Sequence, residues 1–328
     1  MIPDRARNKE LNSGAPAGWH FNKPVVSNLA CDRQDEPLVY AIVSSWYDGD
    51  IIYDTVRNCF NNGCTKVFIL DNDSPDNSVS EAIRAGATIG EIYHTDYYDD
   101  DLRIRKQNDI VKNIVESEAH RELWFLSLDG DEFPTGIGNE TIQQTLGRIP
   151  GNIRTIGSNA IDLYPNIGEQ HTIGQHPAIS YSYGINRTAR CYCDLSHWKH
   201  VALRYFDNVF DIAQGRGNHR PAHIRINQTL QEPKDISLPI FHVPIRNEEH
   251  TRTRLTALCG KNEQGQHRSI GDDLIIGSQG AIKRFHSLDM IYQRQWDKVE
   301  LPHSQMYGKE IVGICPYLWR TLHPNLSY

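Results

Sequence analysis

The chain is predicted to fold as an open, mainly parallel α/β sheet flanked by helices, with a mixed or antiparallel extension and helices towards its C-terminus. Three observations predict this. Strand-like runs in the first half are almost wholly apolar, which is how strands covered on both faces read. Segments of helical spacing alternate with those runs. The runs end in short polar or acidic residues, at the strand ends where open α/β sheets bind ligands.

The elements follow in order. Residues 1–35 are polar, carry Pro, Gly and Asn, and show no period, so they read as an N-terminal arm. Leu38 to Ser45 is a first buried strand, followed by helical spacing from Asp50 to Asn61 and a stop at Gly63. Lys66 to Leu70 is a second strand, and Asp71-Asn72-Asp73-Ser74-Pro75-Asp76-Asn77-Ser78 follows it. Asp76 or Asn77 is placed to cap a helix running to about Ala85, ended by Gly86. Ile89 to His94 reads as a short strand, Tyr97 to Asp101 as an acidic loop and Arg103 to Glu118 as a helix. Glu122 to Leu128 is a further buried strand, ending at Asp129-Gly130-Asp131-Glu132-Phe133.

After Pro150 the helical pattern fades. Asn152 to Ile156, Ala178 to Tyr183, Lys199 to Tyr205 and Ile236 to Val243 read as strands, and Glu248 to Gly260 and Gly280 to Lys298 as helices. The resulting partition is an arm (1–35), a first half (36–150), a second half of the same domain (151–250) and a helical or irregular region (251–328).

Composition excludes several classes. In 328 residues, 34 Lys+Arg stand against 41 Asp+Glu, a net charge of −7, so the basic footprint of a nucleic-acid binder is missing. No apolar stretch is long enough for a membrane helix, and the N-terminus lacks the apolar region of a secretory signal. The seven cysteines are odd in number and scattered, which reads as reduced thiols, and the expected location is cytoplasmic. Four matches to the glycosylation pattern, at Asn139, Asn186, Asn227 and Asn325, then read as chance. There is no Walker A pattern, no dinucleotide glycine motif at a strand end and no Gly-x-Ser-x-Gly elbow.

The main chemical signal is Asp129-Gly130-Asp131. Two carboxylates one residue apart, on a turn just past a buried strand, can address one divalent cation, and hard oxygen ligands suit Mg²⁺ or Mn²⁺. Gly130 removes the Cβ that would keep a ligand from the backbone. A cation there can offset the charge building on a departing diphosphate. Cys191 and Cys193 with His197 and His200 have a spacing tighter than a zinc ribbon.

Together, Ser44-Ser45-Trp46-Tyr47-Asp48, the loop from Asp71 to Ser78, Arg103-Ile104-Arg105-Lys106-Gln107-Asn108 and Leu128-Asp129-Gly130-Asp131-Glu132-Phe133 resemble the GT-A glycosyltransferases of the family 2-like group. The resemblance covers about residues 36–135, with a weaker echo at Gly217 to Arg220 and Phe241 to Arg246. It implies a GT-A type, Rossmann-like sheet and a metal-dependent sugar transfer, by direct displacement, from a UDP-, GDP- or dTDP-sugar to a small-molecule or glycan acceptor. Asp131 and Asp129 match the metal motif, with Asp129 also near the donor ribose, and His242 matches a third metal ligand. Asp71 and Asp73 match positions that contact nucleobase and ribose. Ser44 and Ser45 match the nucleotide pocket, and Arg105 a contact to the nucleotide or its phosphates.

Direct displacement also needs a base for the acceptor hydroxyl, and Asp211 and Glu249 are the candidates, with Glu248 beside the latter. Tyr292, Trp296, Tyr307, Tyr317 and Trp319 are candidates for an acceptor platform. Two other readings are a nucleotidyltransferase and a non-catalytic nucleotide- or carbohydrate-binding module. The first usually opens with a glycine-rich phosphate loop, whereas the turn at Ser44 to Asp50 holds only Gly49.

Overall fold

The computed structural model describes residues 36–96, 99–118, 122–165, 169–181, 183–186, 200–205, 237–247, 249–251, 253–254 and 312–313. Strands β1 (Leu38–Ser45), β2 (Lys66–Asp71), β3 (Thr88–Ile92) and β4 (Leu123–Asp129) alternate with helices α1 (Ile52–Asn61), α2 (Ser78–Arg84) and α3 (Asp100–Glu118). β1 pairs in parallel with both β2 and β4, and β2 pairs in parallel with β3. This is the α/β succession expected from the apolar runs.

The mixed extension is also present. β8 (His200–Arg204) pairs antiparallel with β4, β6 (Thr155–Tyr164) antiparallel with β8, and β7 (Tyr183–Asn186) antiparallel with β6. The two-residue β10 (Val312–Gly313) pairs with β7, giving the order β10-β7-β6-β8-β4-β1-β2-β3. Off this path, β9 (Ser237–His242) runs parallel to β6 and antiparallel to the short β5 (Glu132–Pro134).

Alternation along β1 explains why the strand is apolar throughout. Val39, Ala41 and Val43 join Trp124, Leu126 and Leu128 in a layer with Ile52, Val56 and Cys59 of α1 and Ala82 of α2. Tyr40 and Ile42 join Phe125 in the opposite layer with Ile110, Val111, Ile114 and Val115 of α3. A third cluster, with Ile51, Phe133, Tyr181, Phe241 and Val243, packs beneath β5 and β9.

Several expectations are corrected. Ala178 to Tyr183 is not one strand: Pro177–Ser180 is a short helix, α5, capped by His176, whose Nδ1 accepts from the Ala178 N–H at 3.2 Å, and Tyr183 already opens β7. The strand expected at Asn152 begins only at Thr155, after the turn at Gly151-Asn152, and runs on to Tyr164. α3 starts at Asp100, inside the expected acidic loop. α4 (Ile142–Gly147) was not expected, although Thr141 and Gln144 form a capping box at its start. Residues 249–251 and 253–254 are helical, and the helix expected at Gly280 to Lys298 lies outside the described residues. Among the described residues no helix is long and apolar enough to cross a membrane.

Candidate active site

The carboxyl ends of β4, β1 and β2 place four of the expected residues side by side. Asp129 pairs in register with Ser44, and Ser45 with Asp71. Ser44 is held from α3: Gln107 Nε2 donates to its Oγ at 2.8 Å, and Arg103 Nη1 reaches it at 3.5 Å. Arg103 is buried and also donates to Asp100 Oδ1 at 2.6 and 2.9 Å. Arg105 is exposed, because α3 turns Arg103, Gln107, Ile110, Val111 and Ile114 inward and position 105 outward. Arg103, from the inward face, is the one of the two that reaches Ser44 at the end of β1.

The loop after β2 fastens the loop after β1. Asp71 is fully buried and accepts from the Ser74 N–H and Oγ, both at 2.7 Å. Burial pushes its carboxyl above 3.8, and those hydrogen bonds pull the other way. The Tyr47 N–H donates to Ser74 Oγ at 3.0 Å, the Asp48 N–H to Ser78 Oγ at 2.8 Å and the Gly49 N–H to Asp76 Oδ2 at 2.9 Å. The Trp46 N–H donates to Asp48 Oδ2 at 3.1 Å. Four successive amides are thus engaged within the protein. Asp73 is exposed, with a left-handed φ of 48°, and its Oδ2 lies 3.1 Å from His94 Nδ1.

The second acid of the motif sits deeper. Gly130 allows Asp131 to turn inward: a Cβ at 130 would stand 2.4 Å from Asp48 Oδ2, while Thr55 Oγ1 donates to the Gly130 carbonyl at 2.6 Å. Asp131 is 4% exposed. β9 brings His242 opposite Glu132, and the Val243 N–H donates to the Asp131 carbonyl at 3.0 Å. His242 Nε2 lies 3.6 Å from Asp131 Oδ1.

A buried charge network that the sequence reading missed surrounds this pair. Arg246 is 2% exposed, and its Nη1 and Nη2 each donate to Asp48 Oδ1 at 3.1 Å. Its Nε lies 3.2 Å from Asp50 Oδ2 and its Nη1 3.6 Å from Asp131 Oδ2. His250 Nε2 is 3.2 Å from Asp50 Oδ1 and 2.9 Å from the Tyr47 carbonyl. Arg254 Nη1 donates to Asp131 Oδ2 at 3.4 Å.

Burial alone would raise both Asp48 and Asp131. Asp48 stays above 3.8, whereas His242, Arg254 and Arg246 together hold Asp131 below it. Burial pulls Arg246 down, but Asp50, Asp48 and Asp131 outweigh it and keep that guanidinium above its ordinary value. In the sequence Arg246 closes the apolar run after His242, at the end of the weaker echo from Phe241.

Among the described residues no three His, Cys, Asp or Glu side chains gather as a metal cluster. Two protein donors nevertheless fit Mg²⁺ or Mn²⁺, which commonly take one or two protein ligands and fill the rest with substrate phosphates and water. Asp131 Oδ1 and His242 Nε2 are such a pair, and an imidazole suits Mn²⁺. Of the expected bases, Glu249 is exposed on the helical stretch after Arg246, and Asp211 lies outside the described residues. Glu248, Cys191, Cys193, His197, His219 and the C-terminal aromatics also lie outside them.

No family model matches the chain, and no curated protein does. Solved structures do align with it. S. aureus TarS, residues 1–349, is 12% identical over 81% of this chain and 77% of that one, with a TM-score of 0.34. The chain spans 46% of the longer S. aureus TarS structure. Glucosyl-3-phosphoglycerate synthase from Mycobacterium tuberculosis, solved with Mn²⁺, uridine diphosphate and glucosyl-3-phosphoglycerate, is 12% identical over 43% of this chain and 50% of that one, at 0.27. Mannosyl-3-phosphoglycerate synthase from Rubrobacter xylanophilus is 16% identical over 42% and 43%, at 0.26. Identities and scores this low pass no residue's role to this chain.

Proposed function

We propose that the chain is a glycosyltransferase that moves a sugar from a nucleoside diphosphate donor to an acceptor hydroxyl. The observation that carries the reading is at the carboxyl ends of three adjacent parallel strands: Ser45 stands in register with Asp71 and Ser44 with Asp129, and the Asp131–His242 pair follows the last of them. In this reading Ser44, Asp129 and the exposed Asp73 meet the nucleoside, and buried Asp71, bonded to Ser74, holds the loop that carries Asp73. Asp131 and His242 would hold Mn²⁺ or Mg²⁺, which offsets the charge of the departing diphosphate when bound. Arg246, anchored by Asp48 and Asp50 of the loop after β1, sets a fixed positive charge beside Asp131 before the donor arrives. A uridine, guanosine or thymidine diphosphate sugar is the proposed donor, and direct displacement with inversion the proposed course. Asp211 and Glu249 are the proposed takers of the acceptor proton.

The nucleotidyltransferase alternative is disfavoured by the loop at Trp46 to Gly49. A phosphate cradle needs backbone N–H groups facing the ligand, and here four in a row already donate to Asp48, Ser74, Ser78 and Asp76.

The test is a thermal-shift panel of uridine, guanosine and thymidine diphosphates with and without Mn²⁺. One of them raises the melting point by about 5 °C at saturating concentration, only with metal. Asp131→Asn removes the metal-dependent part. A shift indifferent to both metal and substitution sinks the reading.

A further inference from the structure

The two arginines at Asp131 are held in different ways. Arg246 is anchored by contacts of 3.1 to 3.2 Å to Asp48 and Asp50, with its side chain 1% exposed. Arg254 is a quarter exposed and holds Asp131 Oδ2 at 3.4 Å, beyond the usual range for an N–H···O bond. Its Nη2 stands 3.7 Å from Asp48 Oδ1, an oxygen that Arg246 already bonds twice. Its Nε is buried without a hydrogen-bond partner. Arg254 is therefore the loosely held cation of the network, at the solvent side of a carboxylate whose other oxygen faces His242.

We infer that Arg254 is a place-holding cation: it neutralises Asp131 while the site is empty and turns to the donor diphosphate once a divalent ion settles between Asp131 and His242. The inference rests on the proposed donor site. Its driving force is charge. Three carboxyl groups, of Asp48, Asp50 and Asp131, face the two guanidiniums between them, and Arg254 contributes to that charge balance. A divalent ion at Asp131 adds two positive charges and repels the less anchored guanidinium. A diphosphate beside the ion offers Arg254 a bidentate partner that Asp131 does not supply at 3.4 Å. Arg254 is thus a binding residue for the diphosphate and a positioning residue for the empty Asp131.

The experiment is calorimetric titration of the full chain and of Arg254→Gln and Arg254→Lys, each shown to unfold cooperatively. The probes are Mn²⁺ alone, then uridine diphosphate and uridine monophosphate with Mn²⁺ present (or the guanosine or thymidine pair, if the thermal panel selects it). Arg254→Gln binds Mn²⁺ alone roughly threefold to tenfold more tightly, because a competing positive charge has gone. The same variant loses about tenfold or more of the diphosphate's advantage over the monophosphate. Arg254→Lys keeps Mn²⁺ binding near that of the parent chain and retains part of the advantage. Unchanged Mn²⁺ affinity and an unchanged diphosphate-to-monophosphate ratio in Arg254→Gln overturn the inference. If the parent chain binds no nucleotide, the donor reading falls, and the Mn²⁺ arm alone then decides whether Arg254 occupies a cation's place.

Discussion

At the scale of single residues, the site depends on buried charges that balance one another. Arg246 is the hub, contacting Asp48 and Asp50 and neighbouring Asp131. Removing one partner of a buried ion pair leaves a charge without compensation, at a cost of about 3–5 kcal/mol. Arg246→Met should lower unfolding free energy by that amount in urea melts, and a loss below about 1 kcal/mol would show that water reaches the network. Asp71 tests burial separately. Its folded value lies above 3.8, so the stability contributed by its neutral form is complete below the unfolded value and is lost as pH rises through the folded one. The melting point of Asp71→Asn relative to the parent should therefore climb as pH rises from below 3.8 through the folded value. A difference that falls over that window contradicts the assignment.

At the scale of elements, what the sequence made legible follows from local physics. β1 and β4 were readable because both faces are covered, so their residues are apolar almost without alternation. Asp129 and Asp131 were readable because one turn carries both. Arg246 and Arg254 were not, because their partners Asp48 and Asp131 are separated from them by 198 and 123 positions and no local pattern encodes those contacts. On α3 the spacing of Gln107, Ile110, Val111 and Ile114 puts position 103 on the inward face and position 105 on the outward one. α4 spans six residues, too few for a period, and its signal was the capping box alone. Thr141→Ala should cost about 1 kcal/mol, read from chemical denaturation, if that box fixes the helix start.

At the scale of the whole molecule, the sheet is continuous across the two halves of the chain. β4 has β1 on one side and β8, from the later half, on the other. Arg204 of β8 donates to the carbonyls of Ile149 and Pro150 at 2.7 Å. A fragment of residues 36–150 would lose β8, β9 and Arg246 together, exposing an edge of β4 and leaving Asp48 and Asp131 without their arginines. Such a fragment should show no cooperative melt and poor amide protection by hydrogen exchange, and a sharp transition would establish the first half as autonomous. The close approach of Gly130 to Asp48 extends the same interdependence to heredity. Any descendant of this chain that gains a side chain at 130 must first shorten or redirect the one at 48, and shortening it strips Arg246 of its main acceptor. Drift at a turn that looks free to vary is thereby barred by an arginine encoded far downstream.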